Sequence, residues 1–141
     1  MITFGQFLSD NWALTAIGII ILIALLIVEY LHSNQGSKTI STQELVKQSN
    51  DRKTSIIDVR KTEEFNQGHI INSENIPAQC IHEAFKNPKF KKSSTMIIVC
   101  NAGMSAKGIA KLFEKNKFEN VFVLEGGIKA WSKAKMPLVR S

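Results

Sequence analysis

The chain has 141 residues, enough for one domain of ordinary size, and its formal net charge at pH 7 is +6. Its two cysteines, Cys80 and Cys100, are not part of a C-x-x-C pair, and a structural disulfide is not expected if they face the cytoplasm. A zinc site built from these cysteines with His69 and His82 would lack the paired spacing of zinc ligands, so no metal is expected.

The first feature in chain order is an apolar run. Residues 12–28 carry no charge, and extending the run through Leu31 crosses only Glu29. About 17–25 apolar residues are needed to cross a bilayer. The run has no polar face at a helical period, which argues against a buried core helix. A cleaved signal peptide is the other alternative, but residues 1–12 contain no Lys or Arg, and residues 31–34 form a poor cleavage site. We predict an uncleaved transmembrane helix at about residues 12–31, within an N-terminal segment 1–31.

The basic residues predict the orientation of this helix. All 18 Lys and Arg lie at or beyond Lys38, so the C-terminal part should face the cytoplasm. Trp12 and Tyr30 fit the two membrane interfaces as aromatic anchors. We therefore expect a single-pass protein of the inner (cytoplasmic) membrane that contacts the lipid bilayer through its N-terminal helix.

The part beyond the helix is more basic than the whole. It holds 18 basic residues against 10 acidic ones, because Asp10 and Glu29 lie before it and the chain has 12 acids in all. A basic domain beside an anionic leaflet would be attracted to that surface. Nucleic-acid binding is not expected, since the lysines are spread over several segments without an aromatic-basic motif.

Beyond the helix, polar residues 32–39 predict a linker, and residues 40–141 predict one folded domain. Ser41 followed by Glu44 has the spacing of a capping box and predicts a helix start. Further patterns predict strands at 55–59, 74–76, 96–99 and 121–124, and helices at 41–47, from 62 to a break at Gly68, 81–85, 105–116 and 127–134.

This alternation of short strands and helices predicts an α/β domain. The strands are apolar throughout, which is typical of a mainly parallel sheet with helices on both faces. Sites in such sheets form beyond the carboxyl ends of the strands. Asp58 and Cys100 both lie at such ends.

Cys100 stands between a predicted strand and a predicted helix. Free N–H groups and the positive end of the helix dipole would stabilise negative charge on its sulfur. Gly103 can adopt a positive φ, which allows the N–H groups of the following loop to form an anion-binding nest. A thiolate or a terminal persulfide would fit that nest without a cofactor. Taken alone, the position leaves an inert buried cysteine as the commoner alternative.

Several short motifs follow one another along the domain: Ile57-Asp58-Val59-Arg60, Glu63-Glu64-Phe65, Gly68-His69-Ile70, Asn75-Ile76-Pro77, Cys100-Asn101-Ala102-Gly103-Met104-Ser105 and Glu125-Gly126-Gly127-Ile128-Lys129-Ala130-Trp131. This ordered set resembles the rhodanese family of sulfurtransferases over about residues 39–137. With the apolar segment before it, the chain is similar to the membrane-anchored single-domain rhodaneses of bacteria. The resemblance implies a five-stranded sheet and transfer of sulfane sulfur from thiosulfate or a persulfide donor to a thiophilic acceptor.

The resemblance also implies roles for individual residues. Cys100 matches the catalytic cysteine, which becomes a covalent persulfide, so no cofactor is implied. The donor would be a small molecule or a protein persulfide, and the acceptor a thiol. The loop that would cradle the persulfide consists of Asn101, Ala102, Gly103, Met104, Ser105 and Ala106.

Four further residues match positions that would support the site structurally. Asp58 and Arg60 match a strand-end pair, and Glu64 falls where an acid faces that arginine. His69 matches a structural Gly-His pair, with a ligand or acid–base role as its alternative.

Two departures in the loop bear on function. Met104 stands where many family members have a basic or polar residue, which weakens the case for an anionic donor such as thiosulfate. A cysteine phosphatase or arsenate reductase would need an arginine at the position of Ala106, to bind an oxyanion in bidentate fashion. A non-catalytic, membrane-tethered module that binds a protein partner is a further alternative. Cys80 is expected to be either a core residue or a second reactive thiol.

Overall fold

A computed structural model describes residues 1, 3–33 and 37–141, and the chain divides into two compact units, Met1–Gly36 and Ser37–Ser141. The first unit contains helix α1 (Phe4–Asp10) and helix α2 (Trp12–Ser33). Within α2, Trp12–Leu31 has a mean hydropathy of 2.7 and is long and apolar enough to cross a membrane. A signal sequence near an N-terminus meets the same criterion of length and hydropathy. Helix α1 was not predicted. Its start is capped by Thr3, whose Oγ1 accepts a hydrogen bond from the N–H of Gln6.

The second unit is built on a five-stranded parallel sheet. Its strands are β1 (Thr39–Ile40), β2 (Thr54–Asp58), β3 (Ser73–Asn75), β4 (Thr95–Val99) and β5 (Asn120–Leu124). They lie side by side in the order β1-β5-β4-β2-β3, and each neighbouring pair is parallel. One isolated antiparallel bridge joins His69 to Val139 outside these strands. The prediction of a five-stranded, mainly parallel sheet is confirmed.

Helices connect the strands. They are α3 (Thr42–Ser49), α4 (Thr62–Gln67), α5 (Ile81–Lys86), α6 (Met104–Lys115) and α7 (Gly127–Lys133), and a 3₁₀ turn, Ala78–Cys80, precedes α5. The predicted capping box is present at α3, where Ser41 Oγ accepts from the N–H of Glu44 and the Glu44 carboxylate accepts from the N–H of Ser41.

Alternate residues of the strands serve two cores on opposite faces of the sheet. Ile57 and Ile98 belong to one core, which includes side chains of α5 and α6. Ile56 and Ile97 belong to the other, which includes side chains of α3 and α7. Since successive residues of a strand point to opposite faces, burial on both faces explains the apolar runs in β2, β4 and β5. The outer strand β3 (Ser73–Asn75) is polar and half-buried, so the expectation of apolar strands does not hold for it. Helices therefore cover both faces, as predicted.

The folded unit begins earlier than the predicted boundary at residue 40. The N–H of Val123 donates to the Lys38 carbonyl at 2.8 Å, and Thr39 and Ile40 form the edge strand β1. Of the predicted linker, residues 34–36 lie outside the described residues and 37–39 belong to the folded unit. A strand of two residues is too short to show a hydrophobic period, which is why the sequence did not reveal it.

Candidate active site

Cys100 directly follows β4, at the edge of the sheet formed by the carboxyl ends of the strands. It is only 5% exposed. Its Sγ accepts a hydrogen bond from the N–H of Gly103, at 2.9 Å. Gly103 has φ 91°, a positive value of the kind that the sequence analysis said a glycine can adopt at this position. The sulfur thus lies before the N-terminus of α6, against a backbone donor that can stabilise negative charge.

The start of α7 holds the loop from the other side. The N–H of Ile128 donates to the Cys100 carbonyl at 2.9 Å, and the N–H of Lys129 donates to the Asn101 carbonyl at 3.1 Å. Gly127 has φ 60°, and a Cβ placed there would lie 2.2 Å from the Cys100 carbonyl oxygen. The close approach of α7 to the loop therefore requires glycine at this position.

A cavity of about 380 Å³ opens over the sulfur. Of the predicted site residues, it is lined by Cys100, Asn101, Ala102, Met104, Ser105, Arg60 and Glu64. The side chain of Met104 is 76% exposed at this cavity. Lining residues that the sequence reasoning missed are Val59, Lys61, Pro77, Ala78 and Gln79. They follow β2 and β3, so the rule that sites form at carboxyl strand ends could have found them.

Asp58 and Arg60 form a buried ion pair beside the cavity. Arg60 Nη2 lies 2.7 Å from Asp58 Oδ2, and Arg60 Nε also donates to the carboxylate. The guanidinium further donates to the carbonyl oxygens of Gly68 at 2.8 Å and Glu64 at 3.4 Å. Asn75 Nδ2 donates to the carbonyls of Asp58 and Arg60. Arg60 thus joins the end of β2 to helix α4 and to Gly68, the residue that follows α4.

The carboxylate of Glu64 does not face Arg60, contrary to the expectation from the sequence. Both of its oxygens lie 3.4 Å from Asn101 Nδ2, in the loop that follows Cys100, whereas Arg60 contacts the Glu64 backbone carbonyl. Asp58 accepts from Nε and Nη2 of Arg60, and the backbone carbonyls of Glu64 and Gly68 accept from Nη1 and Nη2, so the guanidinium is engaged without the Glu64 carboxylate.

His69 lies outside the cavity over Cys100. Its ring stacks on Phe65, with centroids 3.8 Å apart, and its Nδ1 lies 2.8 Å from the Phe65 carbonyl oxygen. Its backbone exchanges hydrogen bonds with Val139. These contacts tie α4 to the C-terminal residues, and the structure does not bring the imidazole to the Cys100 sulfur.

Ala106 does not line the cavity either. It is fully buried in the core on the α6 side of the sheet, together with Ile109 and Phe113. An arginine here would point into apolar packing. The geometry therefore agrees with the sequence argument against oxyanion binding at this position.

The other predicted features lie apart from the sulfur. Cys80 is half-buried, a free thiol like Cys100, and lines a different cavity of about 420 Å³ beside Glu83 and Asn87. Within residues 1, 3–33 and 37–141, no group of three or more His, Cys, Asp and Glu is placed to hold a metal ion.

Comparisons with known proteins agree with this geometry. A model of the family described as Rhodanese-like domain matches residues 41–134. The uncharacterized protein YibN of Escherichia coli strain K12 is 28% identical over 136 residues, which cover 96% of this chain and 95% of YibN. The thiosulfate sulfurtransferase GlpE of Shewanella oneidensis is 30% identical over 102 residues, covering 69% of this chain and 94% of GlpE. Among solved structures, a rhodanese-related protein from Thermoplasma volcanium superposes with a TM-score of 0.65 and 24% identity, covering 74% of this chain and 99% of that chain.

Proposed function

Because this chain belongs to the rhodanese-like domain family, we propose that it is a sulfurtransferase that carries sulfane sulfur as a persulfide on Cys100. The observation that carries the proposal is the position of the Cys100 sulfur. It lies under an open cavity and accepts a hydrogen bond from the N–H of Gly103. A thiolate at this position can attack a ligand in the cavity, and the loop after it, residues 101–106, can hold the resulting persulfide.

In the first step the Cys100 thiolate attacks the outer sulfur of the donor. A new S–S bond forms to Cys100 while the donor's own bond to that sulfur breaks. Thiosulfate would leave as sulfite, and a persulfide donor would leave as a thiolate, each taking the electron pair of the broken bond. The product is a terminal persulfide anion on Cys100.

In the second step a thiophilic acceptor attacks the terminal sulfur. The Cys100 thiolate leaves with the electron pair, and the acceptor, a thiol in this proposal, departs as a persulfide. The two exchanges balance without a redox partner, so no cofactor is needed. Asp58, Arg60, Glu64 and His69 are assigned supporting roles, since their contacts hold the loops around the cavity.

The charges that line the cavity favour a persulfide donor over thiosulfate. The Arg60 guanidinium is engaged by Asp58 and by two carbonyls. Lys61 adds one cation, and Glu64 offsets it with an anion. Met104 presents an exposed apolar side chain at the cavity. A dianion therefore finds little net positive charge there, so we expect slower loading by thiosulfate than by a persulfide.

We further propose that α2 anchors the protein as a single pass in the inner (cytoplasmic) membrane, with residues 37–141 in the cytoplasm. Support comes from the length and hydropathy of Trp12–Leu31 and from the absence of Lys and Arg before Lys38 in the sequence. Resistance of the full chain to alkaline extraction from membranes tests the anchor. Protease access to residues 37–141 in inverted but not in right-side-out vesicles tests the orientation.

Mass spectrometry of the intact protein tests the chemistry. After incubation with thiosulfate or a small-molecule persulfide, the wild type should gain about 32 Da, the mass of one sulfur atom, and lose it to added thiol. The Cys100→Ser variant should gain nothing, while the matched Cys80→Ser variant should load like the wild type. If the wild type never loads with either donor, the sulfurtransferase proposal fails, and a membrane-tethered module that binds a protein partner becomes the better description.

A further inference from the structure

Positive charge is concentrated at the amino ends of the strands, at the edge of the sheet opposite the one where Cys100 lies. In a parallel sheet all amino ends of the strands lie at one edge. The loops before β2, β4 and β5 hold six basic residues and two acidic ones, all exposed to solvent. These are Arg52, Lys53, Lys89, Lys91, Lys92 and Lys117, against Asp51 and Glu119. We call this set the basic edge.

Backbone hydrogen bonds join these loops into one surface. The N–H of Thr95 donates to the Lys53 carbonyl at 2.9 Å, which connects the loop before β2 to the start of β4. The N–H of Glu119 donates to the Lys92 carbonyl at 3.0 Å, which connects the loop before β4 to the loop before β5. The loops that carry the basic residues of three separate sequence segments are therefore neighbours. One of these residues, Lys89, is paired with Glu74 of β3.

The carboxyl-end edge, where Cys100 lies, is not basic. Its loops and first helical turns hold four basic residues, Arg60, Lys61, Lys107 and Lys129, against five acidic ones, Glu44, Glu63, Glu64, Glu83 and Glu125. The excess positive charge of the folded unit is thus concentrated at the amino ends of the strands. A positive field that was merely a property of the composition would appear at both edges.

We propose that the basic edge binds the surface of a bilayer that contains anionic phospholipids. Basic residues near such a surface are attracted to its negative potential, and several exposed ones act together. Only four residues separate α2, which can cross a membrane, from Lys38 at the start of the folded unit, so lipid headgroups would be present at high effective concentration.

With the basic edge on the lipid, the cavity over Cys100 would open away from it, because the two lie at opposite ends of the same strands. Donor and acceptor would then approach from the aqueous phase.

Residues 37–141 are a suitable fragment for the test, because they contain all five strands and both cores and form a compact unit by themselves. Without α2, any binding to vesicles must come from the folded unit. The fragment should co-sediment with vesicles of phosphatidylcholine that contain about 30 mol% phosphatidylglycerol, but not with pure phosphatidylcholine, and added salt should release it. Circular dichroism checks that each fragment is folded.

Two double variants with the same net charge distinguish binding through the basic edge from binding that depends only on the net charge of the fragment. Lys53→Gln with Lys92→Gln should weaken binding to the anionic vesicles about 25-fold, at roughly fivefold for each basic residue lost from the membrane surface. Lys107→Gln with Lys129→Gln, at the other edge, should weaken it by less than about threefold, because the electrostatic attraction decays within a Debye length of about 8–10 Å.

Equal losses in the two double variants would overturn the proposal, and so would a wild-type fragment that binds neither kind of vesicle. Preferential binding to duplex DNA or RNA, with no binding to anionic vesicles, would overturn it in favour of a nucleic-acid surface. None of these outcomes depends on persulfide formation, so the result leaves the proposed chemistry of Cys100 to its own test.

Discussion

Gly127 is the position where one added methyl group should disturb the site most. Its backbone has φ 60°, and a Cβ would lie 2.2 Å from the Cys100 carbonyl oxygen and 2.7 Å from the carbonyl carbon of Asn101. These are backbone atoms of the cysteine loop, so no side-chain rotation can relieve the contact. In Gly127→Ala, either α7 or the loop must move by about 1 Å to reach ordinary van der Waals separation.

The cost can be estimated from the structure. A left-handed conformation costs a non-glycine residue about 1–2 kcal/mol. Moving α7 away from the loop lengthens the bonds from Ile128 to Cys100 and from Lys129 to Asn101, at about 1 kcal/mol each. We expect the free energy of unfolding to fall by about 3–4 kcal/mol, which corresponds to a fall in Tm of about 12 °C or more for a folded unit of this size.

The measurement is thermal and urea unfolding of the full chain, together with the rate of persulfide loading followed by mass spectrometry. Loading should slow in the variant, since the loop that holds the sulfur is displaced. Gly108→Ala is the matched control. Gly108 lies within α6, and a Cβ there meets nothing within 4 Å. This change should raise stability by about 0.5–1 kcal/mol and leave loading unaltered.

A Gly127→Ala variant that unfolds and loads like the wild type would refute the reasoning, because it would show that the contact between α7 and the loop is not as close as the structure has it. Destabilisation by Gly108→Ala to the same extent would show that the effect belongs to glycine replacement in general.

Three other substitutions test the surroundings of the site. Asp58→Asn leaves the Arg60 guanidinium buried without its counter-ion, so urea unfolding should show a loss of about 3–5 kcal/mol, and a loss below about 1 kcal/mol would contradict the buried pair. Ala106→Arg forces a charged side chain into an apolar core, so we expect the free energy of unfolding to fall by more than about 4 kcal/mol, with no hydrolysis of aryl phosphate. A stable variant that hydrolyses aryl phosphate would revive the phosphatase alternative. Trp131→Phe removes the hydrogen bond from Nε1 to the Pro137 carbonyl, so thermal unfolding should report a loss of about 1–2 kcal/mol, and an unchanged Tm would show that the bond adds nothing.

The sequence predicted those features that depend on neighbours along the chain. The capping box at Ser41 and Glu44 is visible because its two bonds join residues three apart. The strand before Cys100 is visible because burial on both faces leaves an unbroken apolar run. Gly103 was identified as a residue that can adopt a positive φ, because glycine has no Cβ. The same reasoning located Cys100, since a cysteine between strand and helix meets free N–H groups.

Only the tertiary structure decided what depends on distant segments. The contact of Gly127 with the Cys100 carbonyl joins two loops that are far apart in sequence, and no local pattern encodes it. The Glu64 carboxylate faces Asn101, while Asp58 and two backbone carbonyls accept from Arg60, an arrangement that appears only once three segments are placed together. The two-residue strand β1 exists only by pairing with β5. The basic edge is of the same kind. Composition shows that the domain is basic, but parallel strands place three separate lysine-bearing loops at one edge and the Cys100 sulfur at the other.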